Sequence, residues 1–267
     1  MIVYPHAKIN LGLHILQKRS DGFHQIETLI YPVRLCDILE VKPSSTFHLF
    51  LYGLPVAGDP KDNLCHIAWE ALRKDFSIPP VQLHLYKRIP CGAGLGGGSS
   101  DGAFTLKLLN NYCSLGLSDQ QLSAYALRLG SDCPSFIPDH PSLAGGRGEH
   151  LIPYHIDLSR FHILICKPPL FVSTAKAYAL STPKRPKHPL QKTRSLPPSL
   201  WRENLINDFE SALFPIYPIL QQIKETLYDS GAFYASLSGS GSALYGLFDS
   251  EQAYKEGCRR LGAMVLL

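Results

Sequence analysis

Residues Pro90 to Gly102 read PCGAGLGGGSSDG, a glycine-rich run long enough to set how the chain around it folds. Its flanks fix what it joins. Val81 to Ile89 alternates Val81, Leu83 and Leu85 with Gln82, His84 and Tyr86, the period of a half-buried strand. After the glycines, Ala103, Phe104, Leu106, Leu108, Leu109 and Tyr112 recur at helical spacing. The segment is therefore a strand, a tight loop and a helix start, and the first amides of a helix have no intrahelical partner. Glycine lets backbone come close to an anion, and the helix dipole favours negative charge. Ser99 and Ser100 add hydroxyls for phosphate or a magnesium ion. The pattern reads as a nucleotide triphosphate cradle; the alternative is a tight turn with no ligand.

Better-known loops do not fit. A Walker A loop needs Lys directly after its second glycine, and counted from Gly92 through Gly97 that position holds Gly98. Gly92, Gly94 and Gly97 match G-x-G-x-x-G literally. The acidic residue expected about 20 positions on could only be Asp119, at a helix start rather than a strand end. The H-R-D and D-F-G signatures of protein kinases are absent.

Upstream, Ile9 to Leu16, the polar turn KRSDG and Ile26 to Leu39 read as strands and a hairpin. A helix is predicted over Lys61 to Lys74, capped by Asp62 or Asn63. Ser118 with Gln121 opens another that Gly130 stops. Phe161 to Cys166 is a strand, and Thr182 to Ser199, rich in Pro, Lys and Arg, is a loop. The chain ends with a helix over Pro218 to Asp229, a strand-turn-strand over Ala235 to Phe248 around SGSG, and a helix over Glu251 to Leu261. This order predicts an α+β protein of two domains, 1–155 and 156–267, the second ferredoxin-like.

A chain of 267 residues with net charge +4 spread along it lacks the dense basic footprint of a nucleic-acid binder and suits an anionic ligand. Its seven cysteines show neither C-x-x-C pairs nor zinc spacing, and read as reduced thiols. His6, Lys8 and Asn10 stand where a signal peptide would be apolar, and no later stretch has the ~18 apolar residues of a membrane span. A soluble cytoplasmic protein is expected.

Pro90, Gly94, Leu95, Gly96, Gly97, Gly98, Ser99 and Ser100 form P-x-x-x-G-L-G-G-G-S-S, which resembles the phosphate loop of the GHMP kinase superfamily. ASLSGSGSALYGLF resembles the third glycine-rich motif of that superfamily, and Asp62-Asn63 and GSDCPSF at Gly130 to Phe136 agree with it. The N-terminal AKINLGLHILQKRSDGFHQIETLIYPV resembles the diphosphocytidyl-methylerythritol kinases in particular. The resemblance implies the two-domain GHMP kinase fold: an N-terminal ribosomal-protein-S5-like α/β domain, a C-terminal ferredoxin-like domain, and an active site in the cleft between them. It also implies transfer of the ATP γ-phosphate, with Mg²⁺, to the 2-hydroxyl of 4-diphosphocytidyl-2-C-methyl-D-erythritol, a step of the non-mevalonate route to isoprenoid precursors.

By position in the motifs, Asp132 is the implied base and Lys8 its partner, and no residue is implied as a metal ligand. Asn63 and Lys87 fall near the adenine and phosphates, with Pro90, Gly92 and the loop glycines. Phe23 and Tyr178 are implied to sandwich the cytosine, with His24 and Lys8 on its polar edge. Asn10 and Thr174 hold the methylerythritol or the aspartate, and Gly239, Ser240 and Gly241 lie beside the substrate tail. Phe23 replaces the Tyr usual in the family, and Gly102 an Ala. The implied partner is this small molecule, with no nucleic acid and no membrane, the protein being a monomer or weak homodimer.

Without the resemblance, Asp132 before Pro134 reads as a helix cap or turn residue, and Phe23 and Tyr178 as ordinary packing. Lys8 in an apolar strand pattern calls for a partner. The rival readings are a homoserine- or mevalonate-type kinase, and an RNA- or protein-binding module using the basic stretch Lys184 to Arg194.

Overall fold

The computed structural model describes the backbone of residues 1–267 and all side chains except those of Arg194 and Ser195, so the basic stretch's last side chain, Arg194, lies outside the described residues. In chain order the strands are β1 Ile2–Val3, β2 His6–Lys18, β3 His24–Cys36, β4 Ile38–Pro43, β5 His48–Gly53, β6 Val81–Lys87, β7 Ser142–Gly145, β8 His150–Pro153, β9 His162–Cys166, β10 Tyr234–Leu237 and β11 Leu244–Phe248. The helices are α1 Leu64–Phe76, α2 Gly97–Tyr112, α3 Asp119–Leu129, α4 Thr174–Leu180, α5 Trp201–Asn204, α6 Asp208–Leu213, α7 Pro218–Asp229 and α8 Glu251–Leu261. Two compact units result: residues 1–8, 32–91 and 96–139 form the first, and 9–31, 92–95 and 140–267 the second. Units of packing and stretches of sequence thus do not coincide.

The first unit holds the sheet β1-β4-β6-β5, with β5 parallel to β6 and the other pairs antiparallel. The alternation of β6 sets its register: Leu39 opposes Leu85 and Val41 opposes Leu83, so one face is continuously apolar. That face joins Trp69, Leu72, Leu106 and Leu109 of α1 and α2 in one core, where each fully buried Leu contributes roughly 1.5–3 kcal/mol. Asn63 caps α1 by accepting from the Cys65 amide at 2.9 Å. Ser118 and Gln121 make the expected capping box on α3, and Gly130 ends it.

The second unit holds the sheet β2-β3-β7-β8 and the antiparallel sheet β10-β11-β9. Val265 bridges Cys166 of β9 and extends the latter to the ferredoxin-like order. Leu220, Ile223 and Leu227, at helical spacing on α7, share a core with Leu164, Leu244, Phe248 and Leu261. Residues 182–199, expected as plain loop, carry two short 3₁₀ turns, Leu190–Ser195 and Pro198–Leu200. Pro189 and Pro197 stand just before these turns, where no amide is needed, and their carbonyls accept from Lys192 and Leu200. Among the described residues no helix is long and apolar enough to cross a membrane.

Candidate active site

The glycine loop turns through positive φ at Gly92, Gly94 and Gly96. Gly96 is the N-cap of α2 and offers no side-chain oxygen to its amides; Ser100 N bonds Gly96 O at 2.8 Å, leaving the amides before it without an intrahelical partner. Gly98 is exposed, and a Cβ there would meet nothing within 4 Å. The two serines, equivalent in the sequence reading, separate here. Ser99 is half-buried, whereas Ser100 is fully buried with its hydroxyl unpartnered, because successive helical residues point about 100° apart.

In the first unit a cavity of about 170 Å³ is lined by Asn63, Lys87, Cys91, Gly98 and Asp101, with Leu51 and Pro60 among its apolar walls. Its polar floor is an ion triad. Lys87, 1% exposed, donates to Asp37 and, at 2.6 Å, to Asp101. Asp37 also accepts from the Arg88 and Ile89 amides and so fixes the chain leaving β6. Burial opposes the charge on Lys87, but Asp101 and Asp37 outweigh it and raise the ammonium's pKa. One ammonium cannot neutralise both carboxylates. Burial, aided by Asp37 against the pull of Lys87, pushes the Asp101 carboxyl up to about 8.

That shift has a sign. Above the unfolded aspartate value of ~3.9, folded Asp101 keeps a proton that the unfolded chain has lost. Its contribution to stability is complete below ~3.9 and is lost as pH rises through about 8. Calorimetry on wild type and Asp101→Asn should therefore show the wild-type Tm falling relative to the variant as pH rises toward 8, and a constant difference above it. A difference independent of pH would remove the proton from Asp101.

Lys8, 6% exposed, belongs to the same unit, and its Cε would lie 3.3 Å from a Cβ on Gly96. Burial lowers its pKa, and the charge of Asp132 partly restores it. Asp132 stands at the N-cap of the 3₁₀ turn Cys133–Phe136, but its side chain makes no capping bond; its carbonyl instead accepts from Ser135. The capping role that the sequence alone favours is therefore not used. The carboxylate is exposed.

In the second unit Asn10 Nδ2 donates to Thr28 Oγ1 at 2.9 Å, and its carbonyl accepts from Tyr245 at 2.7 Å. Thr174 Oγ1 and Ser240 Oγ share a hydrogen bond of 3.1 Å. Tyr178 stacks on His24 at 4.7 Å, while Phe23 is half exposed beneath the Arg147 guanidinium at 4.7 Å. His24 is thus a stacking neighbour of Tyr178. Burial and the nearby Lys18 lower the His24 pKa, which favours a neutral imidazole.

Family models described as GHMP kinases N terminal domain and GHMP kinases C terminal match residues 63–141 and 198–264. A 4-diphosphocytidyl-2-C-methyl-D-erythritol kinase of Bacteroides thetaiotaomicron is 49% identical over 260 residues, 96% of this chain and 95% of that protein. This chain belongs to the 4-diphosphocytidyl-2-C-methyl-D-erythritol kinase family. A crystal structure of a 4-(cytidine 5'-diphospho)-2C-methyl-D-erythritol kinase agrees at TM-score 0.83 and 30% identity, over 99% of this chain and 96% of that one. A homoserine kinase from Cytophaga hutchinsonii, 16% identical with TM-score 0.72 over 96% and 89% of the two chains, shares the fold.

As a member of the diphosphocytidyl-methylerythritol kinases the chain is an ATP-dependent small-molecule kinase with the two-domain GHMP fold. The sequence reading named Lys87 but missed Asp37 and Asp101, which hold it. A signal existed for Asp37, a carboxylate inside the apolar run from Leu35 to Leu39. Among the described residues no three His, Cys, Asp or Glu side chains cluster as a metal cage.

Proposed function

We propose that this kinase phosphorylates the 2-hydroxyl of 4-diphosphocytidyl-2-C-methyl-D-erythritol, with Asp132 as general base and Lys8 as the positive charge beside it. The observation that carries the reading is a buried ammonium, against the glycine that opens α2, electrostatically coupled to an uncapped carboxylate. Asp132 takes the hydroxyl proton as the oxygen bonds to the γ-phosphorus; the bond to the bridging oxygen breaks and ADP leaves. Lys8 opposes the negative charge that develops on the attacking oxygen.

The nucleotide phosphates take the unpartnered amides of α2 and the glycines Gly92, Gly94, Gly96, Gly97 and Gly98, in the stretch that begins at Pro90 and includes Leu95. The adenine end takes the cavity lined by Asn63 and Lys87. A magnesium ion bound with the phosphates would neutralise part of their charge, and the half-buried Ser99 hydroxyl is the side chain of this loop that would hold it. Ser100, assigned with Ser99 to this cradle, has a buried hydroxyl that makes no hydrogen bond among the described residues.

For the acceptor, Phe23 and Tyr178 stack on the cytosine once His24 leaves the face of Tyr178, and neutral His24 both donates to and accepts from the polar edge of the base. Asn10 and Thr174 hold the methylerythritol, and Gly239 to Gly241 the substrate tail. We place the sequence domains at 1–155 and 156–267, with one family model inside each, and the enzyme in the cytoplasm as a monomer or weak homodimer without nucleic-acid partners.

ADP release with ATP, Mg²⁺ and the cytidine substrate, beside mevalonate and homoserine, tests the reaction: turnover with another acceptor alone overturns the substrate. Phe23→Ala should raise the KM for the cytidine substrate by about 10-fold with little change in kcat, since stacking acts on ground and transition states alike. A loss confined to kcat contradicts the stacking role.

A further inference from the structure

Asn207 is wholly buried, and every hydrogen bond of its side chain is spent on backbone. Its Nδ2 donates to Leu237 O at 2.8 Å and Gly239 O at 2.9 Å, and its Oδ1 accepts from Phe209 N at 3.0 Å, capping α6. Three residues on, Glu210 Oε1 accepts from Leu237 N at 2.9 Å and Ser236 Oγ at 3.0 Å. The end of β10 and the turn after it are therefore held from both sides by one short segment, Asn207 to Glu210.

The turn in turn holds the glycine loop. Ser238 Oγ donates to Gly94 O at 2.9 Å, and Ala243 N donates to Ala93 O at 3.0 Å. The approach is so close that a Cβ on Gly94 would stand 2.0 Å from Ser238 O. Asn207, Ser238 and Ala243 are each 0% exposed.

We propose that Asn207 is a positioning residue for the ATP phosphate loop, acting through the Ser238 turn on Gly92 to Leu95. The inference rests on the reading of that loop as the phosphate cradle, and adds the residue that sets its place. A buried carboxamide suits the task because its two N–H donors lie in one plane and can bind the Leu237 and Gly239 carbonyls at once, which neither a hydroxyl nor a carboxylate can do. The turn that Asn207 holds includes Gly239, assigned to the substrate tail, so Asn207→Asp should act on both substrates, whereas the Ser238 hydroxyl reaches Gly94 and its loss should appear on the nucleotide.

The test is steady-state kinetics on Ser238→Ala, Asn207→Asp and the double variant, with Tm measured for each. Ser238→Ala removes one stitch without adding bulk, and should raise the KM for ATP by about 5- to 10-fold while the KM for the cytidine substrate stays within about 2-fold. Asn207→Asp keeps the shape but turns an acceptor toward two carbonyls, and should raise the KM for ATP further. Because both act along one path, the double variant should be no worse than Asn207→Asp alone. Additive losses, or a KM change confined to the acceptor, overturn the proposal. Mg·ADP binding by calorimetry separates the levels: a wild type that binds while Ser238→Ala keeps its affinity overturns the positioning role alone, and a wild type that does not bind overturns the cradle reading with it.

Discussion

Asp132→Asn should lower turnover by roughly 10² to 10⁴, the range for a lost general base, without a comparable loss of Tm. The expectation of an intact fold comes from local bonding. The Asp132 side chain caps nothing, is exposed, and lends only its carbonyl to the Cys133–Phe136 turn, so an amide of the same shape leaves the turn as it is. What changes is charge. Asn cannot accept the hydroxyl proton, and Lys8 loses the carboxylate that partly offsets the lowering of its pKa by burial.

A second readout follows from that coupling. Loss of the Lys8 proton should cut activity on the alkaline side, below the ordinary lysine value, since burial lowers its pKa. In Asp132→Asn the alkaline limb of the residual rate should move further down, because the group that raises the Lys8 pKa is gone. Near-normal turnover in the variant removes Asp132 as the base. A large loss with an unmoved alkaline limb keeps a role for Asp132 but separates it from Lys8.

Elements whose signals are local were legible in the sequence. Helices α7 and α8 fall on the residues expected, since Pro218 opens one and Ser250 caps the other, with Gly262 behind it. Strand β6 follows from its alternation alone. Strand β5 was not anticipated: it lies parallel to β6 at the sheet's end, and nothing in His48 to Gly53 states that pairing.

The candidate site divides in the same way. The glycine loop and its helix start are contiguous and could be read, and the family motifs supplied Lys8 and Asp132, which lie far apart in sequence. The partners of Lys87 lie 50 and 14 residues away, so the triad exists only once the first unit has folded. Ser99 and Ser100 differ only through the turn of the helix, and the stacking of His24 on Tyr178 joins residues with no shared local pattern.

Gly94→Ala and Gly98→Ala should separate two reasons for glycine in one loop. Gly94 sits at φ +76, where a side chain costs about 1–3 kcal/mol in strain, and its Cβ would also meet Ser238 O at 2.0 Å and Gly241 N at 3.0 Å. Both obstacles are backbone, so the loop itself must move, and a displacement of about 1 Å at a phosphate cradle can cost 10²-fold. Gly94→Ala should accordingly lose about 10² in kcat/KM for ATP and lower Tm as well. Gly98 is helical and has open space where its Cβ would go; alanine there favours the helix, by roughly 1 kcal/mol against glycine. Its Tm should hold or rise. If that space belongs to the nucleotide, as the cavity beside Asn63 and Lys87 indicates, the KM for ATP should rise in Gly98→Ala with no loss of stability. Unchanged KM in Gly98→Ala would move the phosphates away from the first turn of α2, while full activity in Gly94→Ala would mean that the loop tolerates displacement and that its register against the Ser238 turn does not govern catalysis.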